Sequence, residues 1–92
     1  MSYQNSNLSN TNLRRVDFRG ANLIGTNLIG ANLSGADIRR ADLRGAHLNG
    51  SIWYEHDIRK ALLQLREADF MYLMMRDNNG TRKVLRSELF PD

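Results

Sequence analysis

The 92-residue chain contains no cysteine. Disulfides therefore cannot staple it, and a reducing compartment fits the composition. No apolar run approaches the roughly 20 residues that a bilayer span requires. Met1-Ser2-Tyr3-Gln4-Asn5 has no basic stretch followed by an apolar one, so no signal peptide is expected and a cytoplasmic location is. The first fifty-three residues hold no lysine and few aromatic rings, which leaves little for base stacking. Metal-ligand spacing, a Ser/His/Asp arrangement and a phosphate loop are all missing; His47 and His56 stand as single histidines away from carboxylate or cysteine clusters. No metal or cofactor is expected, and an enzyme is the least expected class. A chain this short buries only a modest core and, unstapled, must be regular or oligomeric.

Regularity is what the sequence has. Written in fives from Ser6 it reads SNLSN, TNLRR, VDFRG, ANLIG, TNLIG, ANLSG, ADIRR, ADLRG, AHLNG, then SIW. The third place is large and apolar from Leu8 to Trp53, and the first place is small in nearly every unit. A period of five matches neither the helical 3.6 nor the strand 2.0. On a helix it would wind the stripe around the whole cylinder, and on a flat strand it would turn every other large side chain to solvent. The period makes sense if each unit turns the chain by about a quarter circle, so that four units close one coil and every large residue points to its axis. Glycine closes six of the units (Gly20, Gly25, Gly30, Gly35, Gly45, Gly50), which suits corners needing positive φ. Asn7, Asn12, Asn22, Asn27 and Asn32 share one slot, where Asn bonds readily to turn backbone.

These residues resemble the pentapeptide-repeat family, whose pattern is A(D/N)LXX. ANLIG, ANLSG, ADIRR and ADLRG match it or differ only by Ile for Leu. The resemblance implies an all-β, right-handed quadrilateral β-helix, here about two and a half coils over residues 1–53. It implies little about function. Both coil ends would expose apolar side chains and unpaired backbone, so a cap is expected.

Residues 54–92 are the expected source of that cap. Ile58, Ala61, Leu62, Leu65, Ala68, Tyr72 and Met75 fall at three- and four-residue steps, which predicts one amphipathic helix over 55–77 stopped by Asn78-Asn79-Gly80. A second short helix is expected over Arg82–Leu89. Phe70, Met71, Met74 and Met75 make the first helix apolar nearly all round. Two readings stay open: the excess covers the last coil in a monomer, or it forms a homodimer contact through the C-terminal helix. Ile24 and Ile29, outward in adjacent repeats, are candidates for the same kind of apolar interface.

Adding twenty to a residue number gives its neighbour on the same face. Arg19 and Arg39 stack with Asp17 and Asp37, Arg40 joins that face, and Arg44 lies on the next. This group is either a solvated face with local Asp–Arg pairs or a partner-binding face. A non-enzymatic module that binds another macromolecule, most simply a protein, follows first. The resemblance adds an inhibitor that mimics DNA, gyrase-directed or anti-CRISPR-like. Mimicry needs negative charge, while residues 1–53 carry six arginines against three aspartates. It would survive if Glu55, Asp57, Glu67 and Asp69 share one face. Nucleic-acid binding through the arginines is expected to be weak and salt-sensitive.

A polar residue at Leu28 or Leu33 is expected to be severe, since burying such a side chain contributes about 1.5–3 kcal/mol. A change at Ser34, read as outward, is expected to be nearly silent. Urea denaturation of the two sets of variants checks both.

Overall fold

The computed structural model describes residues 1–91. Its repeats form a β-solenoid held by parallel one-residue bridges at intervals of twenty. Ladder 1 joins Ser2, Asn22 and Asp42; ladder 2 joins Asn7, Asn27 and His47; ladder 3 joins Asn12, Asn32 and Ile52; ladder 4 joins Asp17 and Asp37. From the second coil on, each bridging residue both donates to and accepts from the coil before it: Asn27 donates its N–H to Ser6 O and accepts from Leu8 N, at 2.9 and 2.8 Å. Every rung between coils is thus a backbone pair that leaves side chains free to vary.

The large side chains fill the axis. Leu23, Leu28, Leu33, Leu48 and Trp53 are buried, with Ala21, Ala31, Ala36, Ala41 and Ala46 beside them. Where the small residue is polar it bonds inside the coil. Thr26 Oγ1 donates to Tyr3 O at 2.7 Å, and Trp53 Nε1 donates to Ser51 Oγ at 2.8 Å. The corners demand positive φ, as expected, and Asn5, Asn10, Arg15 and Arg40 adopt it where glycine is missing. At Gly30 the need is also steric, because a Cβ would run into the Asn10 side chain one coil away.

The C-terminal segment differs from the expected helix. Ile52–Tyr54 is strand β1, followed by α1 (Glu55–Lys60) and α2 (Leu62–Glu67), which are separated by Ala61. Tyr72–Asp77, expected as helix, is strand β2, and Gly80–Leu85 is strand β3; only Arg86–Leu89 of the second expected helix is helical, as α3. The physical reason is register. Asp69 bridges His47, and β2 runs parallel to β1 with Met74 opposite Ile52, both at an offset of twenty-two. Asp69 N donates to Ala46 O and Asp69 O accepts from Leu48 N, which repeats the pattern of the coils above. Ala68-Asp69-Phe70-Met71-Tyr72 is a further five-residue unit, with Phe70 buried in the large-residue place. Stacking therefore does not stop at residue 53. The third coil takes a helical detour across ladders 4 and 1 and then resumes on ladders 2 and 3.

That detour is the cap on ladders 4 and 1. Ile58, Ala61 and Leu65 turn inward and join the core. Helices of six residues are marginal alone, and here their buried faces hold them. On ladder 3, β3 pairs antiparallel with β2, and Asn78-Asn79 turns the hairpin. Only Val84 of β3 is buried, and the edge carries Arg82 and Lys83, charges that discourage further strand pairing. Arg86 latches this hairpin to α2. Its guanidinium donates to Arg66 O at 2.7 Å and Ala68 O at 3.0 Å, and it lies 4.7 Å from the Phe70 ring centre. No helix among the described residues is long and apolar enough to cross a membrane.

Ser34 also corrects an expectation. It is fully buried, and Arg76 from β2 reaches back to its Oγ at 3.4 Å, so a bulky residue there meets packing instead of solvent.

Phe70→Ala is expected to cost about 3–5 kcal/mol, the loss of a buried aromatic side chain. It should also speed amide exchange at Leu48 and Gly50, which donate to Asp69 O and Tyr72 O. Chemical denaturation and hydrogen exchange read the two effects.

Candidate interaction faces

The Asx slot organises the outer surface. Asn7, Asn12, Asn22, Asn27 and Asn32 each accept the N–H two residues on, at 3.0–3.2 Å. The aspartates do the same and additionally hold an arginine. Asp17 accepts Arg19 N, Arg19 Nε at 3.0 Å and Arg19 Nη2 at 2.9 Å. Asp37 with Arg39 and Asp42 with Arg44 repeat the arrangement, each with Nη2 at 2.7 Å. One pair bridges coils, since Arg19 Nε lies 3.9 Å from Asp37. Four chemical groups within three residues thus close on themselves, which immobilises two flexible side chains before any partner arrives.

The structure brings together Arg19, Arg39 and Arg40, which with Asp17 and Gly20 line one open groove. Arg44 lies on ladder 1, in a second groove that Arg40 also borders. Three of the four candidate arginines are matched by an aspartate at close range. Among the described residues, Arg40 makes no ion pair. The four arginines and three aspartates leave this face only mildly positive.

The arginines lower the carboxyls, Asp17 the most. Asp17 is held at about 2 by the Arg19 guanidinium and then by the Arg19 N–H. The Arg39 guanidinium lowers Asp37, and the Arg44 guanidinium followed by the Arg44 N–H lowers Asp42. These carboxyls are open to solvent, so the pairs orient side chains more than they stabilise the fold.

The apolar candidates do not form one surface. Phe70 and Met75 are buried and Met74 is part-buried, so the homodimer contact expected through a C-terminal helix loses its helix and most of its side chains. Ile24 is part-buried, while Ile29 and Met71 are 42% and 75% exposed. The four acidic residues also separate. Glu55 pairs with Arg59 at 3.7 Å, and Asp57 accepts Gly35 N. Glu67 lies beside Gly45, and Asp69 contacts His47 Nδ1 at 3.1 Å. They occupy the ladder 3–4 corner and the ladder 1–2 region, so they do not share a face. His47, expected away from carboxylates, gains Asp69 from the added unit. Leu63 on α2, 82% exposed, stands out although periodicity assigned it no role.

A profile of pentapeptide repeats matches the chain in eight copies, over residues 4–35 and 11–50. No curated protein matches it.

The lowered carboxyls give a pH signature. A depressed carboxyl contributes stability that is present above its unfolded value, near 3.9, and is lost as pH falls through the folded one. For Asp17 that window closes at about 2. Carboxyl-carbon NMR should find Asp17 still ionised at pH 3 in wild type and half-protonated nearer pH 4 in Arg19→Ala.

Proposed function

The chain belongs to the pentapeptide-repeat family, and on that footing we propose that it is a non-enzymatic interaction module that holds another protein against its ladder 4 face. We take the coil to be right-handed and four-sided, the winding the family implies. Pairing at twenty residues, with four turns between rungs, supports that reading. The setting we assign is the cytoplasm, compatible with a chain that has no cysteine to oxidise.

The observation that carries the reading is the side-on pairing of the arginines. Arg19 and Arg39 spend Nε and Nη2 on aspartate. Among the described residues their Nη1 atoms bond to nothing, so each keeps outward donors at a fixed position. Preordered donors lose little side-chain entropy on binding, which favours a specific polar contact. The near-balance of charge favours a protein over a nucleic-acid backbone, because phosphate contacts draw on uncompensated positive charge. A DNA-mimicking inhibitor of a gyrase or an anti-CRISPR kind is less favoured, since no face gathers the acidic groups that mimicry requires.

Affinity capture with cross-linking mass spectrometry tests this, comparing wild type with Arg19→Ala/Arg39→Ala. A protein cross-linked at ladder 4 and retained at least about tenfold better by wild type supports the reading, given equal thermal melts. An unchanged set of captured proteins overturns it. So does a DNA or RNA band shift at low salt that the same variant abolishes.

A further inference from the structure

Strand β3 keeps an outer edge that nothing in the fold uses. Met71 O accepts Arg86 N at 2.8 Å, and along an antiparallel strand the residues that bond one neighbour alternate with those that bond the other. Counting back from Arg86, Val84, Arg82 and Gly80 bond β2. Thr81, Lys83 and Leu85 therefore turn their N–H and C=O groups away from it. Two of these outward groups are met by side chains close by. Lys83 O accepts Arg82 Nη1 at 3.2 Å, and Leu85 N donates to Glu88 Oε1 at 3.1 Å. Among the described residues, Thr81 N, Thr81 O and Lys83 N have no partner. Thr81, Arg82 and Lys83 are all exposed.

We propose that an acidic, extended segment of a partner protein adds to β3 as a further strand and lengthens the ladder 3 sheet. An antiparallel strand exchanges both main-chain bonds with Thr81 and both with Lys83, whose carbonyl keeps a second lone pair. Charge selects the segment. Residues 80–86 hold Arg82, Lys83 and Arg86 and no acidic residue. Arg86 is spent on Arg66 O and Ala68 O, and Arg82 lies 3.4 Å from Glu88. Lys83 faces no carboxylate. Its ammonium rests 4.6 Å from the Tyr72 ring centre, on the side of the strand it shares with Thr81 and Leu85. Carboxylates on that side of the incoming strand meet it across the pair. The same cations repel a second β3, so the edge turns away its own copy and basic strands while admitting an acidic one. β3 extends ladder 3, whereas Arg19 and Arg39 lie on ladder 4, so this contact does not rest on the one proposed above.

A capped heptapeptide of alternating glutamate and valine is the probe, titrated into the full chain and followed by amide NMR and hydrogen exchange. Saturating peptide should shift the Thr81 and Lys83 amides most and slow their exchange. Arg82 and Val84, already bonded to β2, should exchange as before. Lys83→Pro deletes an outward donor and no bond to β2. It should weaken binding at least about tenfold, the effect of a main-chain bond left unmade together with a lost charge, against about two- to fivefold for Lys83→Ala. Lys83→Glu keeps the N–H and should prefer a lysine–valine heptapeptide, a reversal that reads the site even where the proline variant does not fold. Arg19→Ala/Arg39→Ala should bind the probe as wild type does. A Lys83 amide that stays unprotected overturns the proposal. So do undiminished binding by a folded Lys83→Pro variant, equal binding of a probe N-methylated throughout or of the lysine–valine peptide by wild type, and a Lys83→Glu variant without reversed preference.

Discussion

Each bridging residue bonds the coil before it through its own N–H and C=O, while its two chain neighbours bond the coil after it, and that pairing at twenty residues is the constraint on which the rest depends. It converts a short period in sequence into vertical alignment in space. Large residues then stack over large ones and small over small, and a chain without disulfides acquires a continuous core. The same alignment places Asp17 above Asp37 and Arg19 above Arg39. Function and folding therefore draw on one geometric rule: what lies at the axis holds the column together, and what lies outside is presented in rows.

The second place of each unit shows how tightly the two are joined. Asparagine and aspartate serve the same backbone bond there, accepting the N–H two residues on. Replacing one by the other leaves the turn intact and changes only the charge outside it. An arginine two residues later then closes onto the aspartate. The ladder 4 face is in this sense a variation of a structural turn, obtained without disturbing any rung.

The solenoid was legible because its signal is local and repeated ten times, from Ser6 to Trp53. The C-terminal segment was not, for three physical reasons. Tyr72 and Met75 fit a helical period by spacing alone, and Leu62 and Leu65 do lie on a helix, yet from Asp69 on the backbone groups left open at β1 and His47 compete for the stretch and win. Ala68-Asp69-Phe70 carries the repeat pattern, but the twelve residues after Glu55 take it out of phase. Asn78-Asn79-Gly80, read as a helix stop, also marks a hairpin turn between apolar runs. At the candidate face the spacing puts Arg19 over Arg39 and anticipates local Asp–Arg pairs, which form, whereas the geometry of each pair depends on rotamers that spacing does not reveal. Ser34 was misplaced because its cover comes from Arg76, forty-two residues away.

The detour through α1 and α2 has a consequence for how such chains tolerate insertions and deletions. Within the repeats, adding one unit would rotate all later residues onto a neighbouring ladder, so length there changes safely only by whole coils. The helices bridge the same two ladders with twelve residues where repeats would use ten, and their backbone meets the coil before only at Glu67 O, which accepts Gly45 N. That makes the detour a phase buffer, where a change of length at the Ala61 break between the helices, which leaves each buried face in register, still delivers Asp69 and Phe70 to their places.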